Sequence, residues 1–139
     1  MKEIQFEIIK LLAYDFDGVM TDNKASIDEF GNERVFINRS DGLAINIFRK
    51  LGYNQLIIST ENSQIIEKRA KKLDIDYLIG VKDKLYEIKK YCEIRNISLD
   101  EILFVGNDIN DYEVLNFAKI SVVPLDANNF VKKRADIIL

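Results

Sequence analysis

The stretch Leu11-Leu-Ala-Tyr-Asp15-Phe-Asp17-Gly-Val-Met-Thr21-Asp22 decides how this chain is read. A short apolar run of strand length ends directly in acid. Asp15 and Asp17 flank one residue, so in extended backbone both side chains can point the same way. Carboxylates that close repel each other, and a bound cation or a shared proton relieves the cost. The end of this first strand is therefore a candidate site.

Outward from it, short apolar runs at 11–14, 55–58, 77–79, 102–105 and 120–123 read as buried strands. Amphipathic stretches lie between them. Leu43, Ala44, Ile47, Phe48 and Leu51 follow helical spacing, as do Ile66, Ala70 and Leu73, then Leu85, Ile88 and Cys92. Val114, Leu115 and Ala118 mark another helix, and Ser98-Leu-Asp-Glu101 is a capping box. Strand–helix alternation predicts an α/β fold, a Rossmann-like doubly wound parallel sheet flanked by helices. One segment departs from it. Residues 24–28 and 33–37, joined by Glu29-Phe-Gly-Asn32, read as a β-hairpin inserted after strand 1, over about 23–38. An isolated hairpin is marginal, so it needs a surface to pack on, and a subunit interface is the natural one.

Composition narrows the chemistry. The 139 residues suit a single domain, 1–139, and 47% hydrophobic content builds one substantial core. Twenty basic against 23 acidic residues leave a net charge of −3, which argues against a nucleic-acid binder. No apolar run approaches the ~18 residues of a membrane span. The opening MKEIQFEIIK lacks the pattern of a secretion leader, and the lone Cys92 reads as a small core residue. The expected location is cytoplasmic. With no histidine, the chain has no Ser-His triad, no histidine base and no His-ligated zinc. Its chemistry must run on carboxylates, lysine, hydroxyls and oxygen-bound metals.

Ligands of a doubly wound sheet bind beyond the carboxyl ends of its strands. Four polar clusters fall there: 15–22, then Ser59-Thr60-Glu61-Asn62, then Lys84, then Gly106-Asn107-Asp108-Ile-Asn110-Asp111. Asp15, Asp17 and Asp108 offer an all-oxygen site of the kind Mg2+ takes. A metal-positioned carboxylate can attack phosphorus while its neighbour protonates the leaving oxygen and then activates water. Lys84 and Ser59 would hold the equatorial phosphoryl oxygens. Arg39, between hairpin and helix, could pair with a substrate carboxylate.

These motifs resemble the haloacid dehalogenase-like superfamily of phosphohydrolases over essentially the whole chain. Asp15-Phe-Asp17-Gly-Val-Met-Thr21 is similar to its first motif, Ser59 to its second, Lys84 to its third, and Gly106-Asn-Asp-Ile-Asn-Asp111 to its fourth. The resemblance implies Asp15 as nucleophile forming an aspartyl-phosphate and Asp17 as acid and base. It further implies Mg2+ held by Asp15, the Asp17 carbonyl and Asp108, with Asp111 supporting them from behind. The stretch from Thr21 to Gly42 is too short for a separate cap domain, which takes about 50 residues or more.

More narrowly, Asp17-Gly-Val-Met-Thr-Asp22, the hairpin, Asn38-Arg-Ser-Asp-Gly42 and Arg69-Ala-Lys-Lys-Leu73 resemble the capless branch containing 3-deoxy-D-manno-octulosonate 8-phosphate phosphatase. That likeness implies a homotetramer in which a neighbour covers each site, and a phosphorylated keto-deoxy sugar acid as substrate. Thr60-Glu61 replaces the Gly-Arg usual there. It is similar to phosphatases of nine-carbon acids such as 2-keto-3-deoxynononate 9-phosphate, and to domains attached to sialic-acid cytidylyltransferases. Thr60, Glu61, Arg39 and Arg69 are the candidate substrate contacts. The chain stops at Leu139, short of the Gly-rich tail usual in the branch, which would leave the site more open. Two other functions compete. One is a catalytically idle oligomerisation or regulatory domain. The other is a receiver domain, whose phosphoacceptor would end the third strand, where Leu78-Ile-Gly-Val offers no aspartate.

Overall fold

The computed structural model describes residues 6–139, so residues 1–5 of the opening MKEIQFEIIK lie outside the described residues. Leu11–Tyr14 (β1) is buried on both faces, which is why it reads as an unbroken apolar run rather than an alternating one. It forms the middle of a six-stranded sheet with Asn54–Ile58 (β4), Asp76–Leu78 (β5), Ile102–Val105 (β6), Ile120–Val123 (β7) and Ile137–Ile138 (β8). The order is β5-β4-β1-β6-β7-β8, and all pairings are parallel. From β1 the chain builds outward through β4 to β5, then crosses to the other side of β1 to add β6. The reversal opens a crevice between the ends of β1 and β6, where such sheets bind ligands.

Helices Arg39–Lys50 (α1), Gln64–Leu73 (α2), Lys84–Arg95 (α3), Tyr112–Phe117 (α4) and Asn129–Lys132 (α5) make the connections. Side-chain caps start several of them. Asn38 accepts from Ser40 N–H, Ser63 from Ile65 N–H and Asp83 from Tyr86 N–H. Asp74 and Asn96 end α2 and α3 in the left-handed conformation. The Ser98 capping box forms with both arms, on a 3-10 turn at Leu99–Glu101. Strands β1, β6 and β7 keep the bounds read from sequence. The short β8 and α5 were not anticipated, because two and four residues carry no readable period.

The hairpin stands apart as a two-stranded antiparallel sheet, Thr21–Ile27 (β2) with Glu33–Ile37 (β3). It begins three residues earlier than expected, because a register shift between Thr21 and Ala25, with Asn23 at φ 62, absorbs the irregular start. Asp28 closes the turn by accepting from Phe30 and Asn32 N–H, with Gly31 at φ +82. Phe30 and Phe36 on this hairpin are exposed. So is most of the apolar set on α1: Leu43 is 70% exposed, and only Ile45 of the helix is buried. The expected helix is present, but its apolar stripe is not covered by the described residues. Cys92 is buried, as expected.

Candidate active site

The crevice beyond β1 and β6 holds a buried three-residue ion cluster. Lys84 Nζ lies 2.8 Å from Asp15 Oδ1 and 2.7 Å from Asp111 Oδ1. Each member comes from a different element. Asp15 follows β1, where its N–H donates to Val105 O at 2.9 Å and so continues the β1–β6 ladder by one bond. Lys84 opens α3 beyond β5. Asp111 closes the 3-10 turn Ile109–Asp111 after β6. A buried lysine between two carboxylates is tolerable because the pairings offset its desolvation, and removing any one member would strand the others.

Asp15 Oδ1 also accepts from Phe16 N–H at 2.8 Å. Both bonds fall on Oδ1, which leaves Oδ2 as the oxygen free to act. Burial pushes the Asp15 carboxyl up from 3.8 to about 7, against the pull of Lys84 and with a further push from Asp111. Asp17 is half-buried. Its carboxyl is raised by desolvation first, then by the charges of Glu61 and Glu33, with Lys84 opposing. A raised carboxyl is what proton donation to a leaving oxygen requires.

Asp111 Oδ2 accepts from Asn107 N–H at 2.9 Å and Asp108 N–H at 3.4 Å, so one carboxylate fixes both Lys84 and the 107–108 backbone. Gly106 makes this possible: a Cβ there would lie 2.8 Å from Asp111 Oδ2. Gly18, at φ +85, is required twice over, because a Cβ on it would sit 2.0 Å from Asn107 Nδ2. Thr21 Oγ1 accepts from Gly18 N–H and holds that turn.

The other expected residues divide into groups. Ser59 is buried at the end of β4, its Oγ accepting from Glu61 N–H at 3.1 Å. Thr60 and Glu61 are exposed beside it, and Glu61 shares a cavity of 290 Å³ with Asp17, Lys24 and Glu33 of the hairpin. Neither Arg39 nor Arg69 lines that cavity, although Arg39 lines another, of 490 Å³, with Thr21 and Asp22 of the turn after β1. The two arginines together line a 700 Å³ cavity between α1 and α2, with Arg49 and Lys72. Asp108, expected as the third metal oxygen, is exposed. Its Oδ1 accepts from its own neighbour Ile109 N–H at 2.7 Å and from Asn128 Nδ2 at 3.2 Å. Asn107 is the reverse case, buried with its Oδ1 lacking any hydrogen-bond partner. Sequence reasoning assigned no role to Glu33, Asn107 or Asn128. Only the polar run at 106–111 hinted at Asn107.

Three oxygens of this region accept no hydrogen bond among the described residues, Asp15 Oδ2, Asp108 Oδ2 and the buried Asn107 Oδ1, and all are hard oxygens, the type Mg2+ prefers. The site therefore fits that ion.

A model of the haloacid dehalogenase-like hydrolases matches residues 59–139. The chain is 27% identical over 123 residues to N-acylneuraminate cytidylyltransferase A of Danio rerio, covering 87% of itself and 29% of that protein. It is 29% identical over 133 residues to the 3-deoxy-D-manno-octulosonate 8-phosphate phosphatase of Escherichia coli K12, covering 95% of itself and 71% of that enzyme. It superposes on the Moraxella catarrhalis 3-deoxy-D-manno-octulosonate 8-phosphate phosphatase, solved with magnesium, phosphate and KDO, with a TM-score of 0.92 and 25% identity. That match covers 96% of this chain and 78% of the other. The chain thus spans less than a third of the cytidylyltransferases it matches.

Proposed function

This chain belongs to the haloacid dehalogenase-like hydrolase family, and from that premise we propose that it hydrolyses the phosphomonoester of an eight- or nine-carbon keto-deoxy sugar acid. It is a phosphoric monoester hydrolase of the capless kind, and its cofactor is Mg2+. The observation that carries the reading is the buried Asp15–Lys84–Asp111 cluster at the sheet's switch point, with Asp17 beside it.

The Asp15 carboxylate attacks phosphorus, and the bond from phosphorus to the ester oxygen breaks. Asp17 donates its proton to that departing oxygen. Water then attacks the aspartyl-phosphate while Asp17 takes up a proton, releasing phosphate and restoring Asp15. Lys84 compensates charge on the phosphoryl oxygens with help from Ser59, and Asp111 holds Lys84 in place. Magnesium, when bound, would supply positive charge that offsets the repulsion between the attacking carboxylate and the phosphoryl group. Asp15, the Asp17 carbonyl and one oxygen from the 106–111 loop would hold it.

Specificity follows from the two cavities. Glu61, next to Asp17, suits the hydroxyls nearest the phosphoester, with Thr60 at its edge. The basic cavity of Arg39 and Arg69 suits a carboxylate. Since it is separate from Asp17, a neighbouring subunit's copy is the one to reach the substrate. A homotetramer built on the exposed apolar residues of the hairpin and α1 accommodates this arrangement. We place the enzyme in the cytoplasm as a single domain over 1–139. Among the described residues no helix is long and apolar enough to cross a membrane.

The same exposed surfaces, with the likeness to part of a cytidylyltransferase, favour a second reading as an idle oligomerisation domain. Incubation with magnesium and p-nitrophenyl phosphate, then with octulosonate 8-phosphate and nononate and neuraminate 9-phosphates, separates the two. Turnover lost in Asp15→Asn supports the enzyme. A wild type no faster than Asp15→Asn on every ester supports the idle domain.

A further inference from the structure

Asp108, the residue of the 106–111 loop expected from the motif pattern as a metal ligand, is exposed; its Oδ1 accepts from Ile109 N–H and Asn128, while its Oδ2 makes no hydrogen bond among the described residues and faces solvent rather than a buried site. Asn128 is itself anchored. Its N–H donates to Asn107 O at 2.8 Å, and its Oδ1 caps α5 by accepting from Phe130 N–H at 2.9 Å. These bonds tie Asp108 to the outer side of the loop. Among the described residues, no three Asp, Glu or Cys side chains converge on a point that would hold a metal.

Asn107 has the opposite placement. It is 6% exposed, and its amide packs against Gly18, the residue that follows Asp17. Its backbone is pinned by the fully buried Asp111, and it stands two residues beyond Val105, the strand partner of Tyr14. The loop thus presents the Asn107 amide toward the turn that carries Asp15 and Asp17. Its Oδ1 is buried and makes no hydrogen bond. A buried amide oxygen without a donor costs about 1–3 kcal/mol unless something else satisfies it. A cation does so.

We propose that Asn107, through its amide Oδ1, and not Asp108, supplies the loop's oxygen to the magnesium site. This rests on the phosphatase reading above for the identity of the metal. An amide oxygen is a hard donor but carries no formal charge, and ligand charge count is a main control on affinity for hard cations. The buried cluster then holds two carboxylates against one ammonium, with nothing further from the loop. The consequence is a site of weakened magnesium affinity that a single substitution, Asn107→Asp, would strengthen. Asp108 acts instead as a cap for the loop.

The test is isothermal titration of Mg2+ into the substrate-free protein, with p-nitrophenyl phosphate turnover measured in parallel. Asn107→Asp should tighten magnesium binding about tenfold and Asn107→Ala should weaken it about tenfold or more. Asp108→Ser, which keeps a capping oxygen for Ile109 N–H but cannot reach inward, should change Kd by less than about threefold. Asp108→Ser abolishing magnesium binding, or both Asn107 variants binding as wild type does, would overturn the proposal. If Asn107→Asp fails to fold, the Asp108→Ser arm decides alone, since residue 108 is exposed. Titration without substrate also separates this inference from the phosphatase reading. A chain that binds magnesium through Asn107 yet hydrolyses no ester would sink the reading and leave the inference standing.

Discussion

Lys84 and Asp15 form an ion pair at 2.8 Å although both side chains are almost wholly removed from solvent. Buried pairs of this kind contribute little net stability, yet they are costly to break. Lys84→Met leaves Asp15 and Asp111 facing each other with no compensating charge. The expected result is a loss of about 3 kcal/mol in unfolding free energy, together with a fall of about a hundredfold or more in turnover. Denaturant titration and p-nitrophenyl phosphate kinetics on the same preparations check both. A variant as stable and as active as wild type would remove Lys84 from the mechanism.

The raised Asp15 carboxyl gives the metal-free protein an unusual pH dependence. Its value moves from 3.8 to about 7, so between these limits the folded state keeps a proton that the unfolded state releases. Stability falls with rising pH wherever the folded state binds more protons. In EDTA, this group's contribution is fully present below about pH 4, is lost as pH rises to about 7, and is flat above. Asp15→Asn should flatten that slope and raise the Tm at neutral pH. Saturating magnesium, which favours the ionised carboxylate, should reverse the wild-type trend. Melting curves across pH 5–8, with and without the metal, read all three effects.

The charge of Glu61 acts on Asp17, and under the proposed function Glu61 would also meet the substrate. Its charge helps hold the Asp17 carboxyl above the ordinary value, so Glu61→Gln lowers it. The alkaline limb of the kcat profile, where the proton donor is lost, should then move to lower pH. Glu61→Ala should also reorder octulosonate, nononate and neuraminate phosphates more than it slows p-nitrophenyl phosphate. An unchanged profile and unchanged ranking would confine Glu61 to the surface.

Leu43, Ile47 and Leu51 lie exposed on α1, and Ile27, Phe30 and Phe36 on the hairpin. Apolar side chains presented together in this way mark association surfaces. Ile47→Glu with Phe36→Glu should lower the sedimentation coefficient toward that of a monomer while leaving the far-ultraviolet spectrum unchanged. If a neighbour's Arg39 and Arg69 reach the substrate, the same pair of changes should raise KM for sugar-acid phosphates and spare the aryl phosphate. Monomeric wild-type protein at micromolar concentration would contradict both expectations.

Much of the site was legible because its parts sit at strand ends, and strand ends can be read from where an apolar run stops. Asp15, Ser59, Lys84 and the 106–111 loop could be placed on one rim from that alone, whereas the supporting position of Asp111 was implied only by the family resemblance. The apolar positions of α1 show the limit of the method. Their helical period was real, but period alone does not say whether the covering surface belongs to the same chain. Arg39 and Arg69 show another limit, since neither their distance from Asp17 nor their shared cavity follows from their place along the chain.

By itself, the sequence determined the sheet apart from its edge strand β8, the insertion after the first strand, the absence of histidine chemistry and the order of groups around the rim. These depend on local periodicity and residue type, which a linear chain displays directly. Only the tertiary structure decided which member of Asn107-Asp108 faces inward. That choice is made by Gly18 and Asn128, contributed by two other turns, by Asp111 at the end of the same loop, and by the space that two missing Cβ atoms leave open. The two neighbours point opposite ways because one of them must cap the loop in solvent while the other fills the crevice.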